Sequence, residues 1–221
     1  MKQNRGIGAL LGALLLGAAG LAQADTFVGV LPTTPGGTNY QAYYDSTTNL
    51  TWLANANMNG LMDWSTANTW ASGLDINGVT GWTLPTTTPN SSNLALDCSG
   101  FNCTGSQMGN LFYNGLGGTA GTSLASSHNS NYSLFSNVQS GFYWSATEVA
   151  PFPLTTAWHF DFSNGTQSYD PKAYSLYAWA VHSGDVGAPP ATGVPEPGVL
   201  GLMGMAIVGT GLAARRRLAL R

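Results

Sequence analysis

Residues 157–169 read Ala-Trp-His-Phe-Asp-Phe-Ser-Asn-Gly-Thr-Gln-Ser-Tyr and contain the clearest strand and turn pattern of the chain. From Trp158 to Phe162, large aromatic residues alternate with polar ones, which is the two-residue period of a half-buried strand. Asn164-Gly165 then gives a strong hairpin signal, because both residue types tolerate the positive φ of a tight turn. The sequence therefore predicts an antiparallel hairpin whose second strand covers 166–169.

Further strands and two helices are predicted outside this hairpin. Asp63 is suited to cap a helix that begins at Trp64, and Ser106 is suited to cap a second helix that ends before Gly117. The segments with strand-like composition are 39–44, 50–53, 142–147 and 175–181. Because helices and strands are segregated along the chain, we expect one α+β domain over residues 25–188.

The charge of this domain limits its partners. Between residues 25 and 188, Lys172 is the only Lys or Arg, and it stands against nine carboxylates, so the formal charge is −8. A field of that sign disfavours nucleic acids and sulfated polysaccharides. Neutral glycans, proteins and divalent cations are the partner classes that remain.

The first 24 residues have the layout of a secretory signal peptide. Lys2 and Arg5 precede an uncharged run from Ile7 to Leu21, and the small residues Ala22 and Ala24 stand where a signal peptidase reads. The run is shorter than the roughly 20 residues of a spanning helix. We therefore expect cleavage by signal peptidase after Ala24.

An exported chain favours disulfides, and this one contains two cysteines. Cys98 and Cys103 lie five residues apart around a glycine, so we expect a local bridge that contributes about 2 kcal/mol. A metal or redox site is the alternative, and no ligand cluster lies near them in sequence.

The C-terminal residues 194–221 follow a short linker, 189–193, and form an ordered set of signals. Pro195-Glu196-Pro197 comes first, then an uncharged run over 198–214, and then three cations: Arg215, Arg216 and Arg217. The run is marginally long enough for a transmembrane helix, and the cations are expected to act as stop-transfer residues on the cytoplasmic side.

This terminal pattern resembles the PEP-CTERM sorting signal. The resemblance implies recognition by an exosortase, which is a membrane cysteine protease that cuts near the motif. It also implies a Gram-negative source, an intermediate anchored in the inner membrane, and delivery to the cell surface or extracellular matrix. A simple membrane anchor is the alternative.

A second resemblance rests on six sequence blocks in the domain. They are Tyr44–Leu53, Gly81–Thr86, Met108–Tyr113, Tyr143–Glu148, Ala157–Phe162 and Tyr177–Val181. Together they resemble the Lcl C-terminal domain family. The resemblance implies a C-type-lectin-like α+β fold that is related to sulfatase-modifying-factor domains and occurs in surface adhesins.

Two positions depart from that family. Thr83 stands where members often have arginine, and His182 stands near a second such position. One branch of the family binds sulfated glycosaminoglycans, and this acidic domain lacks the basic surface that such a ligand needs. The resemblance therefore carries over the fold and the extracellular setting, but not the ligand.

No catalytic or metal-binding pattern is visible. His128, His159 and His182 are scattered without a ligand spacing, and no nucleophile elbow or calcium loop occurs. We expect no cofactor and no catalytic residue. Most of the seven tryptophans are expected in the core, while Trp64 and Trp82 are candidates for stacking on sugar rings.

Three hypotheses for function follow. The first is an exported, non-enzymatic surface or matrix protein associated with exopolysaccharide or biofilm. The second is a lectin-like module that binds neutral glycans. The third is an enzyme related to the formylglycine-generating proteins, which use a cysteine pair with copper.

Overall fold

A computed structural model describes residues 25–87, 98–150 and 152–188. Four predicted segments lie outside these residues: the signal peptide 1–24, the linker 189–193, the sorting signal 194–221 and the transmembrane helix over 198–214. The chain separates into two compact units, 1–186 and 187–221. Nearly all of the described residues belong to the first unit.

Four antiparallel strands form the first sheet, in the order β1-β2-β3-β7. Their bounds are β1 Phe27–Pro32, β2 Tyr40–Asp45, β3 Leu50–Leu53 and β7 Val181–Ser183. Phe27 pairs with Asp45 at one end of the β1–β2 ladder, and Pro32 pairs with Tyr40 at the other. The predicted strand 175–181 is reduced to isolated bridges at Leu176 and Tyr177 before β7 begins.

The second sheet has three antiparallel strands in sequence order, β4 Phe142–Glu148, β5 Thr156–Asp161 and β6 Thr166–Pro171. The predicted hairpin at Asn164-Gly165 is confirmed, and Gly165 has φ +85°. The prediction that this strand is half-buried is wrong, because β5 is buried from Ala157 to Asp161. Both of its faces are therefore covered.

The helices in the described residues are few and short. The predicted first helix is confirmed as α1, Trp64–Ser72, and Asp63 Oδ1 accepts a hydrogen bond from Thr66 N at 2.9 Å. The predicted second helix is confirmed only as the four-residue α2, Gln107–Asn110, capped by Ser106. A π-helical turn over Leu111–Gly115 replaces the remainder, and a 3₁₀ turn covers Ser130–Leu134.

The predicted fold class, C-type-lectin-like α+β, is wrong, whereas the predicted C-terminal transmembrane helix lies outside the described residues. Two antiparallel sheets dominate the structure. Within the described ranges no helix has the length and apolarity needed to cross a membrane. The apolar spacing at 108–116 predicted a long helix, but Leu116 N bonds to Leu111 O, five residues back, so the helix widens and ends.

Aromatic rings pack between the two sheets. Trp179 N–H donates to Leu53 O at 2.8 Å, and its ring lies 5.6 Å from Trp52 in the first sheet. On the other side it lies 6.0 Å from Tyr143 and 5.8 Å from Phe162. Because such edge-to-face and tilted ring contacts favour one arrangement of the rings, the core holds the two sheets in a fixed relation.

Candidate ligand-binding site

Trp64, the first candidate for stacking on sugars, lies at the N-terminus of α1 and is half-buried. Its indole N–H donates to Ser145 O at 2.8 Å. Lys172 Nζ lies 3.8 Å from the ring centroid and also bonds Glu148 Oε1 at 2.5 Å and Pro153 O at 2.6 Å. One face of the ring is therefore occupied by the only Lys or Arg in the described residues.

Trp82, the second candidate, is not available to a ligand. Its side chain is 0% exposed, its N–H donates to Val79 O at 3.0 Å, and its ring meets His182 edge-on at 5.6 Å. The hypothesis that Trp82 stacks on a sugar is therefore wrong, because the whole ring packs inside the domain. The turn at Gly81 suggested a surface position, whereas Thr83 pairs with Val181 and holds the segment against β7.

The predicted disulfide is confirmed. Cys98 and Cys103 are bridged, with a Cα–Cα distance of 5.5 Å. The cysteine loop lies along β6, where Gln167 Nε2 donates to Cys98 O at 2.6 Å and the backbones of Gly100 and Gln167 exchange two hydrogen bonds of 2.8 Å. The bridge therefore closes the loop, and the hydrogen bonds with Gln167 hold the loop at the edge of the second sheet.

The three histidines contact different aromatic rings. His128 stacks on Tyr132 at 4.2 Å, whereas His182 meets Trp82 edge-on. His159 is buried in β5, with Nε2 3.3 Å from Asp170 Oδ2 and with no partner for Nδ1. Desolvation lowers the pKa of His159, and the nearby carboxylates of Asp170 and Asp161 oppose that effect.

Groups that could hold a metal or perform acid–base chemistry are held in local contacts. Within the described ranges no three His, Cys, Asp or Glu side chains converge. Glu148 is paired with Lys172, and Asp161 accepts a hydrogen bond from Ser163 N at 2.8 Å. With both cysteines in the disulfide, the structure also shows no thiol pair of the kind that the copper hypothesis requires.

The described surface does contain an uncharged cleft, which sequence reasoning missed. The cleft has a volume of about 210 Å³ and opens beside β2 and β3. Its lining residues come from three separate parts of the chain: Tyr40, Gln41, Leu53, Ala54, Asn55, Met58, Ile76 and Ser136. No Asp, Glu, Lys, Arg or His is among them, so the cleft suits a neutral ligand.

Apolar and polar groups share this cleft, which from here we call the Tyr40 cleft. Leu53 and Ile76 are buried and form an apolar base. Asn55 Oδ1 accepts from Asn57 N at 3.0 Å and from Asn137 Nδ2 at 3.1 Å, which fixes the amide and leaves its NH₂ group to donate. An apolar base with a few oriented polar groups is the usual composition of a small-ligand site.

Glycine in β1 fixes the aromatic ring of the cleft. A Cβ atom on Gly29 would lie 2.2 Å from Tyr40 Cδ2, so the tyrosine ring rests directly on the glycine backbone. Tyr40 is half-buried and also meets Tyr43 edge-on at 6.0 Å. The ring is thus held on the sheet and keeps part of its surface for solvent or a ligand.

Comparison with known proteins identifies the domain. The sequence model of the Lcl C-terminal domain family matches residues 41–182, which is more than half of the 221-residue chain. The match begins in β2 and ends in β7, so it covers α1, the cysteine loop, the whole second sheet and every lining residue of the Tyr40 cleft except Tyr40 itself. No curated protein matches the chain. The chain therefore belongs to the Lcl C-terminal domain family.

Proposed function

We propose that this chain is an exported, non-enzymatic surface or matrix protein. Membership in the Lcl C-terminal domain family suggests a secreted, surface-type protein. The observation that carries the proposal further is the Cys98–Cys103 disulfide in a domain with a single Lys or Arg. A disulfide persists in oxidising compartments outside the cytoplasm, and an acidic, amide-rich surface suits a protein that works among hydrated polysaccharides.

The two termini would direct the export and sorting of the chain. Signal peptidase would cut after Ala24, and an exosortase would recognise Pro195-Glu196-Pro197 while the precursor is held at the inner membrane. Arg215, Arg216 and Arg217 would remain on the cytoplasmic side. The mature protein would then reach the cell surface or the extracellular matrix, where exopolysaccharide is the expected environment.

The sorting step can be tested with one substitution. Glu196→Gln keeps the size of the side chain and removes its charge, so the variant is expected to accumulate in the membrane fraction of an exosortase-containing host. Glu148→Gln makes the same change on the exposed surface of the domain and serves as the matched control. Equal release of wild type and Glu196→Gln would contradict exosortase sorting.

A second function, binding of a neutral glycan, is favoured by the Tyr40 cleft. Its amides, its aromatic ring and its apolar base match the hydroxyl groups and C–H faces of an uncharged sugar. Trp64 offers less, because Lys172 lies on its ring. We therefore propose the Tyr40 cleft, rather than the predicted tryptophans, as the sugar site.

A glycan array probed with wild type and four variants separates these surfaces. Tyr40→Ala and Gln41→Ala are expected to lower binding to a neutral sugar at least tenfold, which corresponds to about 1.4 kcal/mol. Tyr174→Ala removes a more exposed tyrosine ring outside the cleft and should bind as wild type does. Loss of binding in Trp64→Ala alone would move the site to α1, and no binding by wild type would remove this second function.

A further inference from the structure

Two carboxylates meet at the N-terminal end of the first sheet. Phe27 pairs with Asp45, and Ser46 N continues the ladder by donating to Thr26 O at 3.3 Å. Side chains two residues apart on a strand share a face, so Asp25 lies on the same face as Phe27 and diagonally across from Asp45. β1 begins two residues after Asp25, so the register places the two side chains near each other, and the electrostatic effect of Asp45 on the Asp25 carboxyl agrees with that placement.

Both carboxylates are shielded from water. Asp25 is 7% exposed and Asp45 is 1% exposed. Both carboxylate oxygens of Asp45 accept hydrogen bonds, Oδ1 from Thr47 N at 2.9 Å and Oδ2 from Thr48 Oγ1 at 2.6 Å. Asp25 Oδ2 has no hydrogen-bond partner. A buried carboxylate oxygen without a donor is costly, and a second carboxylate beside it adds repulsion.

A cation would relieve this arrangement, and the described side chains do not provide one. Lys172 is the only Lys or Arg in the described ranges, and it is bound to Glu148 and Pro153 O. The 3₁₀ turn that faces Asp25 contributes the neutral amide of Asn131, whose Nδ2 donates to Asp25 O at 3.0 Å. Burial and the charge of Asp45 accordingly raise the pKa of the Asp25 carboxyl, and Thr47 opposes the rise.

We propose that the missing cation is the α-ammonium group of Asp25 itself. This inference rests on the proposed cleavage after Ala24. Hydrolysis of the Ala24–Asp25 peptide bond adds one water, leaves a carboxylate on Ala24, and releases an amine on Asp25 that is protonated at neutral pH. The α-nitrogen is three bonds from the side-chain carboxyl carbon of the same residue, so the new charge forms within reach of both carboxylates.

Removal of the signal peptide would then stabilise the folded domain. In the precursor the nitrogen of Asp25 is an uncharged amide, and the acidic pair is uncompensated. In the mature chain the ammonium donates to Asp25 Oδ2 and pairs with Asp45, so that the cleaved domain is more stable at neutral pH than the uncleaved one. Because cleavage is irreversible, removal of the signal peptide would stabilise the first sheet permanently.

The amines of the mature chain provide a direct readout. A chain over residues 25–221 contains two amines, the α-amine and Lys172. Reductive methylation with ¹³C-formaldehyde labels both while keeping their charge, and NMR then follows each pKa separately. The α-amine is expected to titrate about 1 unit above the usual value of about 7.7–8.0, because two carboxylates hold its proton.

Three variants test the assignment. A chain that begins at Ala24 moves the amine by one residue, and Asp45→Asn removes one partner; both are expected to return the α-amine pKa to its usual range. Asp75→Asn removes an exposed carboxylate at the opposite end of β1 and should leave the shift unchanged. An unshifted α-amine in the chain that begins at Asp25 would overturn the inference.

Calcium binding and a different cleavage position can each be distinguished from the proposed ion pair. Stabilisation of the mature chain by millimolar calcium, reversed by EDTA, would place a metal between the carboxylates and would also overturn the inference. The cleavage position is a separate question, answered by the N-terminal mass of the exported protein. An exported protein that begins elsewhere contradicts the proposed processing, whereas the titration of the chain beginning at Asp25 tests the ion pair in either case.

Discussion

The two sheets of this domain differ in what they carry. The second sheet and its neighbouring turn supply five of the ten buried aromatic rings in the described residues: Tyr143, Trp144, Trp158, Phe160 and Phe162. This sheet also buries His159, Asp161 and Gln167. The first sheet carries the buried acidic pair at one end and the uncharged Tyr40 cleft at the other. The second sheet thus combines aromatic packing with a buried histidine, whereas the first sheet holds the cleft and the acidic pair, so we expect mutations in the two sheets to affect different properties.

The largest expected effect is at the ring that joins the sheets. Trp179→Ala removes a completely buried indole and its bond to Leu53 O, so it should lower the free energy of unfolding by about 3–5 kcal/mol. Chemical denaturation followed by circular dichroism measures this. Tyr174→Ala truncates an exposed ring and should stay within about 0.5 kcal/mol of wild type. Similar losses in both variants would contradict a core centred on Trp179.

The next effect concerns the disulfide at the edge of the second sheet. Replacing Cys98 and Cys103 together by serine should lower stability by about 2 kcal/mol, because the bridge restricts the unfolded chain. Gln167→Ala, which removes the bond to Cys98 O but keeps the bridge, should cost less, about 1 kcal/mol. A greater loss in Gln167→Ala than in the double serine variant would show that docking on β6, rather than the covalent link, stabilises this loop.

A pH-dependent effect is expected inside the second sheet. Burial lowers the pKa of His159, so the unfolded chain binds a proton near pH 6.5 that the folded chain resists. Stability should therefore fall as the pH drops below about 6.5, by at most about 1.4 kcal/mol per pH unit from this residue. His159→Gln should flatten the profile between pH 7 and 5. An unchanged slope would mean that the Asp170 carboxylate fully offsets desolvation, and a steeper fall in the variant would mean that Asp170 outweighs it.

The smallest effect is expected at the surface ion pair. Lys172→Met keeps the aliphatic stem against Trp64 and removes the charge next to Glu148, which is partly exposed. Stability should change by less than about 1 kcal/mol, and the difference should shrink in high salt. Equilibrium unfolding at low and high sodium chloride measures this. A salt-independent loss of several kcal/mol would show that Lys172 is structurally essential.

The sequence predicted the features that depend on neighbours along the chain. These are the hairpin at Asn164-Gly165, the cap at Asp63 and the disulfide. β1 was missed, since Gly29 and Pro32 weaken the strand pattern of a segment that also adjoins the expected cleavage site. The long helix expected after Ser106 failed because its apolar spacing continues into a π turn.

The candidate site was less predictable than the fold. The β2–β3 ladder brings Tyr40 near Asn55, and Ser136 joins them through its parallel bridge to Asn55, which is a contact between distant segments. Trp82 stands beside a turn in the sequence, yet its ring is completely buried. Hydrophobic patterns report which residues are apolar, but they do not report which aromatic face remains open to a ligand.

Intact mass spectrometry of the protein recovered outside the cell distinguishes an exported, processed chain from an unprocessed one. We expect a chain that begins at Asp25, ends near Pro195-Glu196-Pro197, and has lost two hydrogens at Cys98 and Cys103. A full-length chain that begins at Met1, remains in the cytoplasm and carries two free thiols would contradict it.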